Sequence, residues 1–245
     1  MIYFRVAWGF TKNPKKIKIV DSWPGDGDLV TEKGMKVPSV IQILGDGENQ
    51  FKWGYQVRTE VQAIGDFKIA LEDKRHDYYP NPEPVLASIN AALSTEHSGA
   101  HGQDTSTTKI VAKYIGAVYQ HALDTISSRE VAGVMKLSRA FVITVPAVWS
   151  DSAKRRLRVA LAEAHPDLQG ADLLLSEPEA AALFIMEKYQ SRGVREQDTV
   201  VVCDVGGGIV EVMSYKVTAV DPKVRLEELN AATGLYQCHL NESFC

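Results

Sequence analysis

The chain has 245 residues, of which 45% are hydrophobic and 24% charged, and its formal net charge is -4. This length and composition suit one large or two small globular domains. The slightly acidic balance argues against a nucleic-acid binder with a broad basic field, and no apolar run reaches the length of a membrane span. Three cysteines, an odd number, predict reduced thiols rather than a disulfide framework.

The first half of the chain predicts short strands followed by helices. Alternating or apolar stretches predict strands, which fall at residues 3–10, 16–20, 37–44 and 50–55, the first two forming a hairpin. Residues 57–71 are expected to be helical in part, and residues 96–105 to form a loop. Apolar residues at helical spacing predict one helix around residues 85–93 and a long amphipathic helix over residues 111–122.

The second half predicts strands and helices in alternation. Residues 140–145 predict a buried strand, and Ser150 or Asp151 can cap the helix after it. A short strand follows at residues 172–175. Ser176 and Glu179 then have the spacing of a capping box, which predicts the start of another helix. The polar residues 191–197 are the predicted domain boundary, and residues 224–229 predict a further strand.

Residues 199–217 predict a strand, a glycine turn and a second strand. The apolar run at residues 200–202 suits a strand buried on both faces, and Asp204 lies at its end. Three glycines follow, namely Gly206, Gly207 and Gly208. A carboxylate beside such a turn can hold Mg²⁺ while backbone amides hold phosphate oxygens. A β-hairpin with a glycine-rich turn gives the same pattern. A dinucleotide fingerprint is excluded, because a strand follows where that motif needs a helix.

Two further stretches extend this pattern. Residues 141–151 read FVITVPAVWSD, residues 176–182 read SEPEAAA, and residues 204–208 read DVGGG. In this order and spacing they resemble the ATPase domain of the heat shock protein 70 family, within the actin-like superfamily. The resemblance is greatest to a divergent cytosolic branch common in filamentous fungi. It implies an α/β fold of two ribonuclease-H-like lobes around an ATP cleft. Residues 1–190 would form the first lobe and residues 191–245 part of the second.

The resemblance also implies roles for individual residues, with ATP and Mg²⁺ as cofactors. Lys68 matches the lysine that contacts the γ-phosphate and the attacking water. Glu177 matches a carboxylate near the Mg²⁺ water shell. These two are the implied catalytic residues. Asp204 matches the aspartate on the Mg²⁺ side. The phosphate-cradling glycines match Gly206, Gly207 and Gly208. We expect Lys68, Glu177 and Asp204 to face one cleft. A cytoplasmic protein with a co-chaperone or protein client as partner is implied, without nucleic acid or membrane.

The chain also departs from the family pattern. The family's opening strand and first phosphate loop would precede Tyr3, and the adenine-binding subdomain would follow the last residues. Ile209 stands where the family has threonine, and Glu211 where it has aspartate. We therefore expect weak or lost ATP binding and hydrolysis, and a sheet edge that makes the chain marginally stable or oligomeric. Two alternatives remain: a non-catalytic interaction or regulatory module, and an incomplete gene model of an active ATP-dependent chaperone ATPase.

Overall fold

A computed structural model of the chain describes residues 2–25, 32–44, 50–58, 63–72, 81–93, 103–131, 133–171, 173–189, 193–205, 209–221, 223–229 and 233–236. Within these residues the chain forms four α-helices and thirteen strands. Seven strands precede the first two helices, strands and helices alternate in the middle, and four strands follow the last helix. This mixture confirms the predicted α/β class. None of the described helices is both long and apolar enough to cross a lipid bilayer.

The chain divides into two compact units. Unit 1 contains the described residues of Met1–Asp73, Pro82–Ala140 and Arg155–Gly170, and unit 2 those of Lys74–Asn81, Phe141–Lys154 and Ala171–Cys245. Unit 2 thus takes up stretches on both sides of residue 190, where the sequence placed the lobe boundary. The lobes implied by the family stay a prediction, and each unit is described by itself.

Unit 1 contains seven short strands. They are β1 (Tyr3–Phe4), β2 (Ala7–Phe10), β3 (Asn13–Ile19), β4 (Val37–Pro38), β5 (Val40–Ile43), β6 (Phe51–Trp53) and β7 (Ile64–Gly65). β2 and β3 form the predicted antiparallel hairpin. The single strand predicted at residues 3–10 is split in two, because β1 pairs with β4 and β2 pairs with β3. The strand predicted at residues 37–44 is interrupted in the same way, at Ser39.

The stretch predicted to be helical in part, residues 57–71, has no α-helix in the residues described there. Ile64 pairs with Ile41 of β5, and a 3-10 helix spans Ile69–Leu71. Between them Asp66 has a φ of 52°, in the left-handed region that a right-handed helix cannot include. Pairing with β5 and the left-handed residue together explain why the expected helix is replaced by a strand and a tight turn.

The helices of unit 1 pack around an aromatic core. α1 spans Glu83–Leu93 and α2 spans Gln103–Arg129, which contains the predicted amphipathic stretch. α2 begins at Gln103, inside the loop predicted at residues 96–105, so the last residues of that predicted loop are helical instead. Tyr114 is fully buried, and its ring lies 5.0 Å from Phe67 and 6.1 Å from Trp53. Its hydroxyl donates to the carbonyl of Pro38 at 3.0 Å, which satisfies the buried polar group.

α3 (Asp151–Ala164) begins at a side-chain cap. Ser150 Oγ accepts a hydrogen bond from the backbone N–H of Ala153 at 3.2 Å, which makes Ser150 the cap of the two predicted candidates. The sequence predicts an apolar face of this helix at Leu157, Ala160, Leu161 and Ala164. The first three are at most 5% exposed, and Ala164 is half-buried. Sequence spacing therefore identified both the start and the buried side of α3.

Unit 2 combines a parallel strand pair with an antiparallel sheet. β8 (Val142–Val145) pairs in parallel with β9 (Leu173–Ser176), and α4 (Glu177–Tyr189) follows β9 directly. The long strand β11 (Ile209–Ala219) pairs antiparallel with three others, which are β10 (Thr199–Val205), β12 (Arg225–Glu228) and β13 (Thr233–Tyr236). β12 confirms the strand predicted at residues 224–229, and β13 was not predicted.

One face of the antiparallel sheet carries the core of unit 2. Met213 and Tyr215 of β11 pack with Ala182 of α4, and all three are buried. On the opposite face Val201 of β10 is 65% exposed, whereas Val210 of β11, on that same face, is buried. The prediction that β10 is buried on both faces is therefore wrong for one face. The buried strand predicted at residues 140–145 is likewise buried only toward its end, because Val142 is 57% exposed.

Candidate cation and phosphate site

Glu177 is held at the beginning of α4 by the junction between β9 and the helix. The backbone N–H of Glu179 donates to Ser176 Oγ at 3.2 Å, which confirms the cap predicted from the spacing of these two residues. This cap fixes the point at which the chain turns from strand to helix. The half-buried Glu177 is the first residue of the helix, where the helix dipole favours negative charge.

Asp204 and Glu211 lie opposite each other on β10 and β11. Residues in register on antiparallel strands project to the same face of the sheet, and this face also carries Val202 and Met213. Asp204 is half-buried, whereas Glu211 is only 2% exposed. Two carboxylates in direct register repel each other, so this pair raises the free energy of the folded chain unless a positive charge lies near it.

Glu211 is connected to the segment between β8 and α3. Its Oε1 accepts a hydrogen bond from the backbone N–H of Val148 at 3.1 Å. The neighbouring Tyr215 has its pKa raised, first by burial and further by the negative charges of Glu179, Glu228 and Glu211. From the sequence, Glu211 was noted only as a glutamate at a position where the family has aspartate. The alternation along β11, which places Glu211 in line with Met213 and Tyr215, was the signal that could have located it on the buried face.

Three carboxylates come together in unit 2. One oxygen of each of Glu177, Asp204 and Glu211 lies within 4.8 Å of the others. In the described part of the chain, Glu177 and Asp204, the two predicted metal ligands, thus lie close to a third carboxylate, Glu211, which was not predicted as a ligand. Hard divalent cations such as Mg²⁺ take carboxylate oxygens, either directly or through water. The residues present fit a hydrated divalent cation, whose charge would offset the repulsion between Asp204 and Glu211.

The three glycines predicted to cradle phosphate cannot be placed in the same way. Gly206, Gly207 and Gly208 lie outside the described residues. The chain on either side of them is described, since β10 ends at Val205 and β11 begins at Ile209. The two strands predicted on either side of the glycines are thus confirmed. The phosphate role of the glycines stays a prediction.

Lys68 belongs to unit 1 and follows an unusual turn. Asp66 adopts its left-handed conformation two residues earlier, and its carbonyl accepts the N–H of Ile69 at 2.8 Å. Phe67 is 4% exposed and contacts Tyr114, which anchors the turn in the core. Lys68 itself is half-buried. The turn holds this lysine in a defined position, and the cleft that it was expected to share with Glu177 and Asp204 stays a prediction.

Comparison with known proteins gives distant relatives. No protein-family model matches the chain. Human heat shock 70 kDa protein 12A is 23% identical over 292 aligned positions, which cover 93% of this chain and 40% of that protein. The mouse protein of the same name is 25% identical over 186 positions, and human heat shock 70 kDa protein 12B is 24% identical over 192. Each of these two alignments covers 73% of this chain and 26% of the relative.

These similarities agree with the resemblance found in the sequence motifs. The chain is a distant homologue of proteins named for the heat shock 70 kDa class, and the similarity to the human 12A protein extends over most of the chain. It spans well under two thirds of the length of these relatives. The α/β structure and the position of the carboxylates are compatible with a nucleotide-binding domain of that class.

Proposed function

We propose that the chain is a heat shock protein 70-like nucleotide-binding domain, related to chaperones and cytoplasmic, with weak or lost binding and hydrolysis of ATP. The observation that carries the proposal is the convergence of Glu177, Asp204 and Glu211 within 4.8 Å. Three oxygen ligands on the rigid ends of strands and a helix suit a divalent cation, and a bound cation can bridge to phosphate oxygens. A co-chaperone or a protein client is the partner that this class suggests.

Two departures from the family pattern, at Ile209 and Glu211, support the proposal that ATP binding and hydrolysis are weakened. Ile209 follows the three glycines and has no hydroxyl, whereas the resemblance places a threonine there. The carboxylate of Glu211 accepts the N–H of Val148, so one of its oxygens is already engaged. Loss of one positioned donor typically costs about 10²–10³ in rate. The cation would supply electrostatic stabilisation of phosphate, and the residues of this chain would position it without forming a covalent intermediate.

The proposal is tested with Mn²⁺, which replaces Mg²⁺ at oxygen sites and is visible by electron paramagnetic resonance. We expect one site in each chain, and we expect Asp204→Asn to weaken it by at least about tenfold, or about 1.4 kcal/mol. Glu179→Gln is the matched control, because Glu179 lies on the same helix as Glu177 and outside the cluster. Absence of a site, or equal weakening by both variants, would refute the proposal.

A second candidate function is supported by a different observation. In unit 2, α4 exposes three consecutive large apolar side chains, which are Leu183 at 37%, Phe184 at 63% and Ile185 at 46%. Exposed apolar surface of this kind is typical of a protein-protein interface. A non-catalytic interaction module would use this surface and would not need the carboxylates. The Mn²⁺ measurement separates the two functions, because an interaction module predicts no site that depends on Asp204.

A further inference from the structure

The hydroxyl of Ser176 lies between the start of α4 and the strand β11. Its Oγ accepts a hydrogen bond from the backbone N–H of Glu179 at 3.2 Å, which caps the helix. The hydroxyls of Ser176 and Tyr215 also hydrogen-bond each other. Tyr215 belongs to β11, the strand that carries Glu211. One serine side chain therefore joins the beginning of the helix to the strand.

Tyr215 is held in place by its own surroundings. It is 3% exposed, and it packs with Met213 and with Ala182 of α4. Its O–H donates to Sδ of Met213 at 3.4 Å. Because this donor is used on the sulfur, the proton between the two hydroxyls comes from Ser176. A directed chain of hydrogen bonds thus runs from the N–H of Glu179 through Ser176 and Tyr215 to Met213.

This chain of hydrogen bonds connects the two elements that carry two of the three carboxylates. Glu177 directly follows Ser176 as the first residue of α4. Glu211 precedes Tyr215 by four residues on the same face of β11. A glutamate side chain has several rotatable bonds, so its carboxylate stays near the others only when the backbone that carries it is held as well. The hydrogen bond between Ser176 and Tyr215 holds that backbone.

We propose that Tyr215 is a positioning residue of the cation site, because its contact with Ser176 holds Glu177 beside Asp204 and Glu211. This inference rests on the proposed function, since it assigns Tyr215 a part in that same site. Tyr215 acts through Ser176 and the backbone of α4, not as a ligand. Burial raises the pKa of Tyr215, which keeps its hydroxyl protonated and the hydrogen bonds in one direction.

Removing only the hydroxyl tests this role. Tyr215→Phe keeps the ring in the core and takes away the acceptor of the Ser176 hydroxyl. We expect the Mn²⁺ dissociation constant, measured by electron paramagnetic resonance, to rise by about three- to tenfold, the effect of one lost hydrogen bond. Ser176→Ala should weaken binding at least as much. Ser176→Thr keeps a capping hydroxyl and should preserve the affinity of the unmodified chain to within about twofold.

Tyr114→Phe is the matched control. Tyr114 is also buried, and its hydroxyl also makes a hydrogen bond, to the carbonyl of Pro38. It belongs to unit 1, whereas the three carboxylates belong to unit 2. Both tyrosine variants should lower the midpoint of urea unfolding, because each loses a buried hydrogen bond. Only Tyr215→Phe should weaken Mn²⁺ binding, which separates positioning from a purely structural role.

A double-mutant cycle shows whether Tyr215 acts through Glu177. In a chain that carries Glu177→Gln, adding Tyr215→Phe should change the Mn²⁺ dissociation constant by less than about twofold. An effect that persists in full in this background, or an equal effect of Tyr114→Phe, would overturn the inference. A site that Asp204→Asn weakens and Tyr215→Phe leaves unchanged would overturn it while the proposed function stands. Absence of a site in the unmodified chain would refute both.

Discussion

Asp204 and Glu211 lie directly opposite each other on adjacent antiparallel strands, and Glu211 is almost completely buried. Its carboxylate accepts the N–H of Val148 and contributes to the cluster with Glu177. Glu211 therefore has two separable effects. Its oxygen satisfies a backbone donor, and its charge repels Asp204 while favouring a cation.

Two variants of Glu211 separate these effects. We expect Glu211→Ala to lower the free energy of unfolding by about 2–3 kcal/mol, because it leaves the Val148 N–H unsatisfied and creates a cavity. Glu211→Gln keeps an acceptor and removes the repulsion, so the cation-free protein should be at least as stable as the unmodified chain. Urea unfolding with and without Mn²⁺ measures both. A cation-dependent stabilisation that is unchanged in Glu211→Gln would show that the charge has no role.

Gly54 provides a test of the packing in unit 1. Its φ is 57°, and a Cβ at this position would lie 2.5 Å from Cγ2 of Val37, so alanine meets both backbone strain and a clash. We expect Gly54→Ala to lower the free energy of unfolding by about 2–4 kcal/mol. Gly65→Ala is the control, because nothing lies within 4 Å of its Cβ position. Equal effects of the two substitutions in thermal unfolding would contradict this packing.

The hydrogen bonds of Asp167 lead us to expect that the free energy of unfolding falls in acid. Hydrogen bonds from Tyr119 at 2.7 Å and from Arg139 at 2.6 Å lower the pKa of Asp167. Burial, together with the bond to Asp167, raises the pKa of Tyr119 to about 12. A carboxyl group whose pKa is lowered by folding contributes stability above its unfolded value of about 3.9, and this contribution is lost as the pH falls through the folded value.

We therefore expect the free energy of unfolding to decrease below about pH 4, and to decrease less steeply in Asp167→Asn. Urea unfolding at a series of pH values measures the slope. The exposed ion pair of Arg129 with Asp21 supplies the control variant, Asp21→Asn, whose effect on the slope should be smaller. A slope that Asp167→Asn leaves unchanged would remove Asp167 as the source of the acid dependence.

Local sequence signals predicted the parts of the fold that depend on local chemistry. The spacing of Ser176 and Glu179 located the start of α4, and apolar periodicity located the buried side of α3. The apolar run before the glycines and the alternation after them located β10 and β11. Each of these features depends on residues close together in the chain, so a single sequence contains the information.

Features that depend on distant partners were not predicted. Residues 3–10 form two strands because β4 pairs with the first and β3 with the second. β13 forms against β11, and its four residues carry little signal of their own. In the candidate site, Asp204 was assigned from its place before the glycines and by resemblance, and Glu177 by resemblance alone. Glu211 required knowledge of the register. The left-handed Asp66 was also missed, because aspartate is common in ordinary turns as well.

The most direct test of the proposed function is calorimetric titration of the chain with Mg²⁺-ATP, beside Asp204→Ala. A nucleotide site weakened by Ile209 and Glu211 predicts an affinity no better than about 1 mM, which corresponds to about −4 kcal/mol. Asp204→Ala should abolish whatever binding remains. Micromolar binding that is lost in Asp204→Ala would contradict the weakened site and would indicate a working ATPase centre.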